Sequence, residues 1–357
     1  NAKVRARGAV SRRWCLGLTS SSSRAVRVVV VVGISRLSHA GPWYDAGSGP
    51  EDRLSPQLLQ IVSKTSGPAI GTLSVLKTTT EKPEMSTTSA PTTTSANAEP
   101  VWRQAGAAWG HAATDWAYLF EPYARDAIEH LFGELEIDSS TGLVDIACGS
   151  GYALARADRL GATSAGIDAS EDLIDIARNR APKADLVAGD MFDLPWADAR
   201  FTVATSFNGI WGGCTDALRE AHRVLTDGGR IGLTFWGAGA NLDLRDWFIA
   251  LGTSTPSVGE EMISLADVAT PGVVEEMLQD AGFTDIVRTS VPAVMEFADE
   301  SIAWRAFRSP GLVVPALDAI GEAELKQRLM AAVEPFRASD GSYRFVNELV
   351  CVTATAR

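Results

Sequence analysis

The stretch VDIACGSGY, residues 144–152, decides how the rest of the chain is read. Val144 to Ala147 have the apolar texture of a buried strand, and Tyr152 opens a run with helical periodicity. Between them, Gly149 and Gly151 permit a tight turn and a close approach of backbone to a ligand. A dinucleotide loop of the form GxGxxG fits in neither register. Counted from Gly149 its last glycine falls on Leu154, and counted from Ala147 it falls on Tyr152. A tight strand-to-helix turn with no ligand remains open on these residues alone.

Outward from this turn, strands and helices alternate. Strands are expected over 142–147, 164–168, 184–188, 201–207 and 230–236. Helices are expected over 152–160, from the N-cap Ser170 to Pro182, and over 215–225, the last with Leu218, Ala221 and Leu225 on one face. Asp227-Gly228-Gly229 is read as the stop of that helix. Before the turn, 101–132 has apolar residues at helical intervals, with Trp109, Trp116, Leu119 and Phe120 on one face. It is broken at Glu121-Pro122, and a second helix follows over 123–132. This alternation implies βαβ units and a mostly parallel sheet with helices on both faces, an α/β fold of the Rossmann-like, doubly wound kind.

Ligands of such sheets bind beyond the carboxyl ends of the strands. Strand one ends in Ala147-Cys148-Gly149-Ser150-Gly151. Strand two ends in Asp168 and Ala169, about twenty residues on, where a carboxylate accepts hydrogen bonds from ribose hydroxyls. Asp190 and Met191 follow strand three, placed for an adenine ring or for an ordinary turn. Strand four runs out through Ser206, Asn208 and Trp211 among glycines.

The combination resembles the class I S-adenosylmethionine-dependent methyltransferases, in the small-molecule branch that includes the ubiquinone/menaquinone C-methyltransferases. The resemblance covers 101–357 and rests on VDIACGSGY (144–152), GIDAS (166–170), AGDMFDLPWADARFTVATSF (188–207) and LREAHRVLTDGGRIGLTFW (218–236). Ala147 stands where the family pattern has its first glycine. The resemblance implies a sheet of seven strands, parallel except for an antiparallel last strand, with N-terminal helices. It implies a helical cap over about 299–336, inserted between strands six and seven at 285–297 and 343–355, and a crossover helix at 271–282. It also implies S-adenosylmethionine as cofactor, held by Asp145, Ala147, Cys148, Gly149, Gly151, Asp168, Ala169, Asp190, Met191 and Ser206. Methyl transfer by in-line displacement would reach a small-molecule acceptor set against Trp109, Trp116, Asn208, Trp211 and Trp304. His111 is the candidate general base. An NAD(P)-dependent oxidoreductase and a non-catalytic adenosine-binding relic of the fold are the competing readings.

The net charge of −12 over 357 residues argues against a nucleic-acid partner held by a broad basic surface. Four separated cysteines and four separated histidines give no metal-ligand spacing, so no metal is expected. The first 44 residues carry eight basic and no acidic side chains, and a Ser/Thr/Pro tract spans 86–95. Residues 1–100 are therefore expected to be a disordered, low-complexity leader. Translation is expected to start at Met85, with an organellar transit peptide as the rival. The only long apolar run in the leader, 28–34, is too short to cross a bilayer, so no stable membrane insertion and a cytoplasmic location are expected. The sequence leaves the oligomeric state open.

Overall fold

Seven strands form one sheet in the order β3-β2-β1-β4-β5-β7-β6 in the structure, a computed structural model that describes residues 100–357, with backbone alone for 260–264. The readings for the leader and for Met85 lie outside the described residues. The strands are β1 Gly142–Ile146, β2 Thr163–Asp168, β3 Asp185–Ala188, β4 Phe201–Phe207, β5 Leu225–Trp236, β6 Phe283–Phe297 and β7 Tyr343–Ala356. The first five run parallel, and β7 is antiparallel to both β5 and β6. The strand order reverses between β1 and β4, which opens a crevice at their carboxyl ends.

Alternation along each strand divides the core between the two faces. Leu143 and Val203 pack on the side of the N-terminal and cap helices, while Val144, Ile146 and Ala204 pack on the opposite side. Asp145 shares the face of Leu143 and is fully buried under the N-terminal helices.

The helices, in chain order, are α1 Val101–Gly110, α2 Ala113–Asp115, α3 Arg125–Glu134, α4 Tyr152–Leu160, α5 Glu171–Arg180, α6 Thr215–Val224, α7 Arg245–Gly252, α8 Pro256–Asp267, α9 Val273–Asp280, α10 Glu300–Arg308, α11 Val314–Ile320 and α12 Glu322–Val333. Ser170 caps α5 as expected, its hydroxyl accepting from the Leu173 N–H at 3.3 Å. Helices α10 to α12 stand between β6 and β7. Among the described residues no helix is long and apolar enough to cross a membrane.

Three local expectations are corrected. The Asp227-Gly228-Gly229 segment does not end α6. Leu225 already turns extended, and the glycines lie within β5, where the register with β4 jumps and Gly228 takes a φ of 74°. The chain from Trp116 to Ala124 is not an α-helix interrupted by proline. It is one turn of π-helix, Trp116–Phe120, followed by a 3-10 turn, Glu121–Ala124, so the second helix starts only at Arg125. Residues 237–270, left unassigned by the sequence patterns, form a short turn and α7 and α8, which bring Trp247 and Phe248 to the crevice.

Candidate cofactor and acceptor site

The crevice between β1 and β4 is a cavity of about 310 Å³. Its floor is made by the strand ends, with Ala147, Gly149, Asp168, Ala169, Gly189, Asp190, Met191, Asn208 and Gly209 on the wall. Its roof comes from the N-terminal segment, α7 and the cap, through Trp109, Trp116, Phe120, Tyr123, Trp247, Phe248, Pro310 and Leu312.

The floor is preorganised by backbone conformation. Ala147 has a φ of 56° and Asn208 a φ of 59°. The left-handed region costs an alanine about 1–2 kcal/mol, whereas asparagine tolerates it. These two residues end neighbouring strands, and their turns interlock. A Cβ placed on Gly209 would lie 2.3 Å from the Ala147 Cβ, so glycine is required there. Gly149 also has a positive φ, 54°, and its N–H donates to Asp168 Oδ2 at 2.8 Å. The Ser170 N–H donates to the other oxygen of Asp168 at 2.8 Å. Two backbone donors thus fix the carboxylate at the end of β2 against the glycine turn. Burial pushes its pKa up, and these two bonds pull against that shift.

A second carboxylate reaches the same turn from above. Glu121 Oε1 accepts from the Ser150 N–H at 3.0 Å, and Oε2 accepts from Arg180 Nη1 at 2.8 Å and from the Ser150 hydroxyl. Arg180 also donates to the Ala117 carbonyl at 2.7 Å, and its guanidinium lies 4.6 Å from the centre of the Tyr118 ring. The ion pair is largely buried, with the two side chains 15% and 11% exposed. Burial raises the Glu121 pKa, against the pull of Ser150 and Arg180. Glu121 was missed in the sequence, where its nearest signal was a helix break before proline.

Asp145 donates nothing to the wall. It accepts from the Thr205 hydroxyl at 2.8 Å across to β4, and burial pushes its pKa up to about 8 despite that bond. Cys148, Gly151 and Ser206 are likewise buried and absent from the wall. Gly151 serves helix packing, since a Cβ there would meet the Ala177 Cβ of α5 at 2.8 Å. The Ser206 hydroxyl is buried without a partner. Asp190, on the wall, accepts from the Phe192 N–H at 3.0 Å in a local turn bond.

The aromatic candidates divide. Trp109, Trp116, Asn208 and Trp211 all line the cavity. Trp109 meets Trp116 edge-on at 4.9 Å, and Trp116 stacks on Phe120 at 5.1 Å. Trp304 does not reach it. Its ring is buried in the cap core, and its Nε1 donates to Glu322 at 3.2 Å. The expectation for His111 is also corrected. Its Nδ1 and Nε2 lie 2.7 and 2.9 Å from the Ala108 and Arg308 carbonyls, on the exposed seam between α1 and the cap. Both ring nitrogens are held there and neither faces the cavity wall. Side chains that the sequence did not assign to the site, namely Phe120, Tyr123, Trp236, Trp247 and Phe248, also line it.

Residues 144–233, from β1 into β5, match the family model described as a methyltransferase domain. A demethylmenaquinone methyltransferase of Corynebacterium kroppenstedtii is 38% identical over 91 residues, 25% of this chain and 39% of that protein. A malonyl-[acyl-carrier protein] O-methyltransferase of Dechloromonas aromatica is 29% identical over 174 residues, 48% of this chain and 62% of that protein. The chain thus spans less than two thirds of the length of these relatives. Among solved structures, the geranyl diphosphate C-methyltransferase of Streptomyces coelicolor A3(2) aligns with a TM-score of 0.39 at 16% identity, over 65% of this chain and 79% of that one. The match to a methyltransferase domain thus spans β1 to β5, the part of the seven-stranded, doubly wound sheet whose strand ends form the crevice.

Proposed function

We propose that the protein transfers the methyl group of S-adenosylmethionine to a small-molecule acceptor by in-line displacement. The observation that carries this reading is the bond from the Gly149 N–H to Asp168 at 2.8 Å, on the floor of a cavity roofed by aromatic rings.

The residues fit such a cofactor. A Cβ on Gly149 would lie 2.7 Å from Glu121 Oε1, so only glycine fits the turn beneath that carboxylate. The Trp116 Nε1, 3.6 Å from the same point, is buried without an acceptor. Asp168 would accept from the ribose hydroxyls, and Asp190 from the adenine amino group with Met191 against the ring. Asp145, one layer below the wall, would reach the methionine end through an intervening water, and an ammonium there would offset the burial that keeps this carboxyl protonated. When bound, the sulfonium supplies an already electrophilic methyl group. The chain's task is then to align the acceptor and keep water out, which the roof of Trp109, Trp116 and Phe120 would do. The names of the relatives, one acting on demethylmenaquinone and one on a carrier-bound malonyl group, support methyl transfer to something other than nucleic acid.

Incubating the protein and methyl-labelled S-adenosylmethionine with a cell extract, then separating it by size, tests this. Label is expected in the low-molecular-weight fraction. Label confined to protein or nucleic acid would overturn the choice of acceptor class.

A further inference from the structure

Among the described residues lining the cavity there is no lysine, arginine or histidine. Its ionisable side chains are Asp168, Asp190 and Tyr123. Two of these are carboxyl groups at the strand ends. The Tyr123 hydroxyl is held neutral, because burial and the neighbouring Glu121 carboxylate push its pKa up. Arg180, the guanidinium beside the glycine turn, is engaged by Glu121 and the Ala117 carbonyl.

The remaining roof is made of rings. Trp236 stacks on Tyr123 at 4.7 Å, Phe248 meets Trp236 edge-on at 5.4 Å, and Trp247 meets Phe248 at 5.1 Å. Aromatic faces are electronegative, so they attract apolar and cationic groups and disfavour anions. An anion moved from water into such a wall, with no counter-charge supplied by the protein, loses solvation that nothing there restores. Two hydrogen-bond donors on the same roof, the Trp116 and Trp247 indole N–H groups, are buried without acceptors. A ligand carrying a neutral acceptor atom would give such a donor its missing partner.

We propose that the acceptor is an uncharged, flat or apolar molecule bearing a small hydrogen-bond-accepting group such as a carbonyl, ether or phenol oxygen, and that acceptors presenting a phosphate or carboxylate are rejected. The term acceptor rests on the methyltransferase reading; the charge selectivity of the cavity does not.

Equilibrium dialysis of 2-naphthamide and 2-naphthoate against the full protein, free and in the presence of S-adenosylhomocysteine, tests the proposal. These probes share a ring system and differ in charge. The amide is expected to bind at least about tenfold more tightly than the carboxylate. Trp247→Phe, which keeps the ring and removes the donor, is expected to weaken the amide about threefold to tenfold and leave the carboxylate unchanged. Equal binding, preference for the carboxylate, or binding of neither probe would overturn the proposal. Failure of S-adenosylhomocysteine to bind would instead strike the cofactor reading, and the amide preference in the free protein would still be read.

Discussion

The Ser150 N–H donates to Glu121 Oε1 at 3.0 Å, so a carboxylate from the N-terminal segment holds the glycine turn from outside the sheet. Glu121 and Arg180 also bind each other, which ties the turn, the segment above it and the end of α5 into one unit. Glu121→Ala leaves Arg180 largely buried without its partner and is expected to cost about 3–5 kcal/mol of folding stability. Glu121→Gln keeps an acceptor for Ser150 and should lose less. Both should weaken S-adenosylmethionine binding, the glutamine variant by about tenfold. Urea unfolding and cofactor titration of the pair check this. Equal stability loss in both variants would contradict the role of the charge.

Gly106 pins α1 over the end of β2. A Cβ there would lie 1.9 Å from the Ala169 carbonyl oxygen, and Ala169 is on the cavity wall. Gly106→Ala must push α1 away, at an expected cost of about 1–3 kcal/mol, and open the roof to water. Gly133, in α3, has nothing within 4 Å of the same position. Gly133→Ala is expected to stabilise by about 0.5–1 kcal/mol through helix propensity. Thermal unfolding of the two variants should move in opposite directions, and a shared direction would count against the packing described.

Asp145 gives a pH signature. Its pKa in the folded protein is pushed up to about 8, whereas an unfolded aspartate titrates near the ordinary carboxyl value of 3.8. Between those values the folded state holds a proton that the unfolded state has lost. The group's contribution is therefore most favourable at the acid end and is lost as pH rises through about 8. Asp145→Asn removes this dependence. The stability of the wild type relative to the variant should fall from about pH 5 to about pH 9, read by thermal unfolding, and level off above. A difference independent of pH would show that Asp145 is not held protonated by burial.

Much of the floor was legible in the sequence because a strand-to-turn junction writes its chemistry locally. Gly149, Asp168, Ala169, Asp190 and Met191 each stand within a few residues of a strand end, and all reach one wall. The sheet was legible for the same reason, from short apolar runs, because its central strands are buried on both faces. Glu121 was not, because its partners lie 29 and 59 residues away and no local pattern joins them. The same holds for Gly106, whose need for a bare Cα is set by a turn more than sixty residues on. The roof divided by context. Trp109 and Trp116 lie on a leading segment whose helical pattern could be read, while Trp247 arrives on a helix that no pattern marked, and Trp304 shows the same composition cue ending in ordinary core. His111 has the chemistry of a base, but its orientation is fixed by the Arg308 carbonyl, 197 residues away.

The central claim is that this floor holds an adenosine cofactor bearing a sulfonium, with Asp168 as its anchor. Calorimetric titration of S-adenosylmethionine, S-adenosylhomocysteine and NADH into the protein, alongside an Asp168→Ala variant, tests it most directly. Both sulfur compounds are expected to bind in the micromolar range and to weaken by about tenfold to a hundredfold in the variant, with no binding of NADH. Binding of NADH alone, or sulfur-compound binding indifferent to Asp168, would contradict the account.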